Sequence, residues 1–177
     1  MAQKLLLSLK LGPLFLSRSA LNNSLIALPL DVRQKAVCLH LARLVAADGE
    51  GATRLIEVTV SGAADLSQAR KAARAVVSSS LVKAAVHGAD PNWGRVVAAV
   101  GRSGADMDED KIDLFIGDIQ VVRAGRPLKS GKRAVSQLLR GKEVNLGLNL
   151  NLGDGSATAW GCDLSPEYVA INSKYMT

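Results

Sequence analysis

Val144-Asn145-Leu146-Gly147-Leu148-Asn149-Leu150-Asn151-Leu152 places five apolar side chains two residues apart, with only Asn and Gly between them. A period of two puts all five on one face of a pleated strand and leaves the amides on the other. Gly153-Asp154-Gly155 follows as a turn signal, and Ser156–Cys162 then reads as an antiparallel partner strand.

Working outward, the same reading gives more strands. Ile112–Ile116 and Ile119–Val122 flank Gly117-Asp118 and predict a second hairpin. Ile56, Val58 and Val60 alternate with Glu57 and Thr59, another strand. Between the strands the period lengthens. Asp31 and Gln34 have capping-box spacing, and Val37, Leu41, Leu44 and Val45 fall on one helical face that should turn inward, with a stop at Asp48-Gly49. Asp65 and Gln68 repeat the box, with Leu66, Ala69, Ala73 and Val76 inward. A short helical turn is expected at Leu81–Val86. Asp90-Pro91 should open a helix, with aspartate as cap and proline in its first turn, that buries Trp93, Val96, Val97 and Val100. Arg133–Leu139 and a segment capped by Ser165-Pro166-Glu167 complete the helices. The expected order is α-β-α-α-β-β-α-β-β-α. This is an α+β class, a layered sandwich of mixed or antiparallel sheet and helices, and not a doubly wound nucleotide fold.

Composition excludes several functions. The chain has 177 residues, 48% of them apolar, enough for one domain with a core. No apolar run approaches the ~18 residues of a membrane span. The net charge is +6, but Lys4, Lys10 and Arg18, with no acid before Asp31, supply half of it. Two each of Phe, Trp and Tyr are too few and too dispersed for a base-stacking platform, so nucleic acid is not an expected partner. Cys38 and Cys162 stand alone, without metal-ligand spacing, so no metal and a reducing compartment are expected. Residues 1–30 differ from the rest: Leu- and Ser-rich, without acid until the segment ends, and aperiodic. They are read as an atypical leader, with a secretory signal or a transit peptide as alternatives. Residues 31–177 are read as the domain, expected in the cytoplasm or, with a transit peptide, in an organelle.

Candidate chemistry lies in a few loops. In Asp48-Gly49-Glu50-Gly51-Ala52-Thr53, two glycines flank one carboxylate, a setting that suits an amine ligand or simply a helix-to-strand turn. Asp90-Pro91-Asn92-Trp93-Gly94-Arg95 reads as capping plus a core tryptophan. Cys162 reads as a packed strand-end thiol rather than a nucleophile, and His40 as a core or boundary histidine. Gly125 to Lys132 imitates a phosphate loop, but five residues separate Gly125 from Gly131 where four are needed, and Arg133 replaces the magnesium-binding hydroxyl.

Three segments together are more telling than any of these. DGEGATR at Asp48–Arg54, LVKAAVHGADPNWGR at Leu81–Arg95 and WGCDLSPEYVAINSKYMT at Trp160–Thr177 occur in this order. They resemble the ornithine acetyltransferase family, the arginine-biosynthesis bifunctional proteins, from about Val32 to the last residue. The resemblance implies transfer of acetyl from N-acetylornithine to glutamate. No resident cofactor is implied, and acetyl-CoA is a co-substrate for some members. It implies a precursor that cleaves itself before a threonine, which then carries the acetyl group, and a threonine-glycine oxyanion pair. Neither element, nor the family's substrate lysine, occurs in this sequence, so no catalytic residue is assigned. The chain is expected to need the missing N-terminal half, in a hetero- or homo-oligomer, and to be inactive alone. Three positions match the family's substrate contacts: Glu50, Asn172 and Thr177. The resemblance implies that they hold the charged groups of ornithine or glutamate. A non-catalytic binding or regulatory module, or a remnant, on the same fold is the alternative.

Overall fold

The computed structural model of the chain describes residues 30–129 and 131–174. Residues 1–29, nearly all of the expected leader, lie outside the described residues. The described residues divide into two units between His40 and Leu41.

Helix α1 (Leu30–Ala47) runs across that division. No Gly or Pro interrupts it, and it is rich in Ala and Leu, so the local preference is helical throughout. It begins at Leu30, which puts Asp31 in the first turn instead of at a cap. The expected inward face is also corrected. Val37, Leu41, Leu44 and Val45 are all more than half exposed, and no residue of α1 is buried. His40, expected in the core or at its boundary, is exposed as well.

The second unit is built on a six-stranded mixed sheet. Its strands are β1 (Leu55–Ala63), β2 (Asp113–Ile116), β3 (Ile119–Arg123), β4 (Arg126–Pro127), β5 (Glu143–Asn149) and β6 (Gly155–Cys162). They lie in the order β4-β3-β2-β5-β1-β6, and only the β5–β1 pair is parallel. The register stacks apolar residues in rows. Ile56 faces Val144, Val58 faces Leu146, and Val60 faces Leu148. All six are buried.

This order corrects the expected hairpin. β5 and β6 do not pair; β1 lies between them, antiparallel to β6. The connection over residues 150–154 arches across the end of β1. Leu150 N donates to Ser61 O, and the Leu152 and Gly153 amides to Gly62 O, at 2.9, 2.7 and 3.1 Å. Asn151 takes a positive φ of 53°, which ends the extended run at Asn149 and leaves Leu152 only partly buried. A Cβ on Gly155 would collide with the Asp65 carbonyl, so the glycine that looked like a hairpin residue serves a close crossing instead. The Gly117-Asp118 hairpin between β2 and β3 stands as expected.

Helices cover one face. α2 (Leu66–Val77) packs on β1 and β6 and against α4 (Trp93–Gly101), while α3 (Ser80–His87) packs against α4. Asp65 caps α2 by accepting from Gln68 N at 2.8 Å. The Gln68 side chain does not complete the box; its Oε1 accepts from Asp106 N at 3.3 Å. Ala69, Ala73 and Val76 are buried, whereas Leu66, expected inward, is exposed. α4 starts two residues later than expected. Asn92 N bonds Asp90 O at 2.7 Å around Pro91, a three-residue turn suited to proline's fixed φ, so Asp90 does not cap the helix. Its expected buried face holds, with Val96 and Val100 buried and Trp93 and Val97 partly so. α5 (Lys132–Leu139) lies against β2, and α6 (Pro166–Lys174) ends the described chain. The short helical turn expected at Leu81–Val86 is a full helix, α3, and the sheet has one short strand, β4, beyond those expected. The other sheet face carries Glu57, Thr59, Ser61, Asn145 and Thr158, all at least partly exposed. Among the described residues no helix is long and apolar enough to cross a membrane.

Candidate functional site

The site forms where α1 passes into β1. α1 stops at Ala47, and Ala52 N donates to Gly49 O at 2.9 Å, closing a tight turn with Glu50 and Gly51 at its centre. Gly51 has φ +62°, the sign required at the third position of a type II turn. It is also crowded. A Cβ there would lie 2.7 Å from Tyr168 N and 2.9 Å from Ser165 Oγ. Glycine therefore lets the turn press against the start of α6 and push Glu50 outward.

α6 is built to meet it. Ser165 Oγ accepts from Tyr168 N at 3.2 Å, and Pro166 occupies the first helical position, as the Ser-Pro-Glu signal predicts. One turn further on, Asn172 Nδ2 donates both to Tyr168 O at 2.8 Å and to Glu50 Oε2 at 2.9 Å. Glu50 and Asn172, 122 positions apart, are thus brought into direct contact at the surface. Thr177, the third sequence-assigned residue, lies outside the described residues.

Chemically the pair is one-sided. An amide has two N–H donors, and Asn172 spends both. What capacity it retains is its carbonyl, and Glu50 retains carboxylate lone pairs, so the pair can accept and not donate. Acceptors converging beside a formal negative charge match an ammonium group, not a carboxylate. An open apolar cleft lined by Leu44, Val45, Ala47 and Asp48 lies just ahead of Glu50 in sequence.

Behind the turn sits a polar cluster that sequence reasoning missed. Asp163, at the end of β6, has a fully buried side chain. Its Oδ1 accepts from Thr53 N at 2.7 Å and from Arg54 N at 2.9 Å. Its Oδ2 accepts from Thr53 Oγ1 at 2.6 Å and from His87 Nδ1 at 2.7 Å. Arg54 in turn donates to the carbonyls of Val86 and His87 at the end of α3. Burial pushes the Asp163 carboxyl upward. The bonds from the Thr53 hydroxyl, His87 and the two amides outweigh it and hold the group below the usual aspartate value. With Asp163 ionised, the His87 Nδ1 must carry the shared proton. A signal existed: each of the three family-like segments contributes to this cluster, as Thr53-Arg54, His87 and Asp163.

The remaining candidates have packing roles. Cys162 Sγ lies against Gly49, where a Cβ would sit 2.6 Å away, and His87 bonds Asp163. Arg95 Nη1 donates to Leu81 O at 3.0 Å, tying α4 to α3. Gly125, of the imitation phosphate loop, has φ +69° and leads into β4. Among the described residues no group of three or more His, Cys, Asp or Glu could hold a metal.

A family model described as the ArgJ family matches residues 20–177. Arginine biosynthesis bifunctional protein ArgJ from Symbiobacterium thermophilum is 58% identical over 142 residues, which is 80% of this chain and 35% of that protein. The protein of the same name from Dehalococcoides mccartyi is 56% identical over 141 residues, again 80% and 35%. The crystal structure of arginine biosynthesis bifunctional protein ArgJ from Bacillus halodurans superposes with a TM-score of 0.81 at 36% identity, covering 96% of this chain and 76% of that one. The chain spans about a third of the length of the curated relatives it matches. A match across this much of the sequence and fold settles membership: the chain belongs to the ArgJ family.

Proposed function

We propose that this chain supplies part of the amino-acid pocket of an acetyltransferase that moves acetyl from N-acetylornithine to glutamate in arginine biosynthesis. The observation that carries this reading is the Glu50–Asn172 contact, whose spare capacity suits an ammonium group. Thr177 is the third pocket residue in this reading. In this reading the nucleophile, a threonine, comes from sequence outside these 177 residues. There a threonine hydroxyl attacks the acetyl carbonyl, the C–N bond breaks, and ornithine leaves with the proton. The glutamate amine then attacks the threonine ester, and its expelled proton returns to the hydroxyl. Two moderate barriers replace one high one, and oxyanion donors in the missing part carry the developing charge. Acetyl-CoA is an alternative donor, no resident cofactor is needed, and the reaction runs in the cytoplasm or, if residues 1–30 are a transit peptide, in an organelle.

The chain alone is expected to show no transfer, because losing a single oxyanion donor already costs about 10²–10³ in rate. The test is co-expression with the upstream two-thirds of the Symbiobacterium relative, followed by kinetics. Glu50→Gln keeps size and removes charge. It should weaken amino-acid use by roughly 1–3 kcal/mol, the range for a charged hydrogen bond. Deletion of Lys174–Thr177 should act in the same direction. Turnover by the chain alone, or wild-type kinetics in both variants, refutes the proposal.

A further inference from the structure

The Glu50–Asn172 contact closes a circuit. Asp163 grips Thr53 and Arg54, just after the Gly49–Ala52 turn. Two residues on, Ser165 Oγ donates to Gly51 O at 2.6 Å, inside that turn, and accepts from Tyr168 N. Tyr168 O holds the Asn172 amide, which reaches back to Glu50. The turn and the start of α6 are therefore pegged to the same short segment between β6 and α6. Their relative position is set by two side chains, Asp163 and Ser165, both buried.

A buried carboxylate is a poor choice for plain stability, since apolar packing of equal volume avoids the desolvation cost. What it offers is directed geometry. Its four bonds point to two backbone amides, a hydroxyl and an imidazole, and each donor sits on a different atom of the loop or of α3. No apolar residue fixes four directions at once. The groups facing it are Thr53, Arg54 and His87, and the Arg54 guanidinium is occupied by carbonyls of α3.

We infer that Asp163 is a positioning residue: by pegging the loop before β1 to the segment that starts α6, it holds Glu50 at the reach of Asn172. Asp163 touches neither residue and acts only through the loop. Its consequence for substrate rests on the pocket reading above; its geometry does not.

The first test needs no substrate. Amide exchange is followed residue by residue in the chain carrying Asp163→Asn, Thr53→Val or Thr53→Ser. Loss of the peg should speed exchange at Ala52, Tyr168 and Asn172 together, by at least ~10-fold more than at Val58 and Leu146, whose rates in the sheet report any loss of global stability, because local opening is separable from global unfolding. Thr53→Val, which lacks the hydroxyl, should move the same amides less far, and Thr53→Ser, which keeps it, should not move them. If Asp163→Asn does not fold, Thr53→Val decides on the same amides. Faster exchange at Ala52 with unchanged Tyr168 and Asn172 means that loop and helix are held independently, and overturns the inference. So does a uniform rise that includes Val58 and Leu146 in both variants, the mark of a merely structural plug. The second test uses the co-expressed enzyme. Thr53→Val should raise KM for the amino acid with little change in kcat, and Thr53→Ser should restore it. Coupled exchange without a KM effect upholds the positioning role and refutes the pocket reading instead.

Discussion

Strand β5 and the last two turns of helix α1 are both rich in apolar residues, yet they meet opposite fates. Val144, Leu146 and Leu148 are each 2% exposed, whereas Leu41, Leu44 and Val45 are 52%, 51% and 75% exposed. The difference lies in where each element satisfies its backbone. A strand must find its hydrogen-bond partners in other strands. In doing so it brings their side chains into register: Leu146 beside Val58 and Ile116, Leu148 beside Val60 and Leu114. Burial of one face then follows almost automatically. A helix closes its bonds internally, so an apolar stripe records a face suited to burial and nothing in the backbone brings it a cover. Period two in a sheet therefore carries tertiary information that period 3.6 in a single helix lacks.

The sharpest way to break this contrast is Leu148→Asp. The residue sits between two paired strands with apolar neighbours on each. A charge there has no partner, and one uncompensated buried charge costs several kcal/mol, comparable with the whole stability of a domain. Loss of soluble expression is expected. The milder Leu148→Ala should fold but lose roughly 2–5 kcal/mol in chemical denaturation. Normal melting of either variant would mean that the row of β5 is not the core.

How much could be read in advance follows the same line. Alternation placed β1 and β5, the Gly117-Asp118 turn placed the β2–β3 hairpin, and the Ser165-Pro166-Glu167 signal placed the start of α6. Pairing order was not legible. Gly153-Asp154-Gly155 looks like any hairpin turn, and only the third partner, β1, reveals that it crosses a strand end. At the site, the resemblance singled out Glu50 and Asn172, and the fold brings them together. The cluster behind them was missed: the three family-like segments each hold a member, but its bonds span 76 to 110 positions and no local spacing joins them. Thr53, His87 and Asp163 each have an ordinary surface explanation when read alone.

Asp163 gives a second prediction, intermediate in size, which asks whether a buried polar residue behaves like β5 or like α1. Its folded carboxyl is held below the ordinary value, while in the unfolded chain it titrates near ~3.9. The sign follows. The stabilisation is fully present above ~4 and is lost as pH falls from there through the lower folded value. Asp163→Asn should remove that acid-dependent part, flattening the stability curve below pH ~4. At neutral pH it should cost about 1–3 kcal/mol, because donors built around a carboxylate lose part of their acceptor. Equal acid limbs for the two proteins in urea titrations at several pH values would show that Asp163 contributes no linkage.

The smallest expected effect tests the other side of the contrast, at Leu44 and Val45. Each is more than half exposed on α1, so replacement should change little. Glutamine is the useful substitution. Its helix propensity is close to that of leucine and better than that of valine, so any loss reports burial and not the helix itself. Surface changes away from special features stay within about ±0.5 kcal/mol, and Leu44→Gln with Val45→Gln should fall in that band. The same exchange at a covered helix position, Val76→Gln in α2, where the residue is 0% exposed, should cost several times more, since it buries an amide without assured partners. Paired denaturation curves for the two variants give the comparison directly. If the α1 pair loses as much as Val76→Gln, then Leu44 and Val45 are covered in solution. The rule drawn from β5, that strands import their neighbours while a lone helix does not, would then fail for this chain.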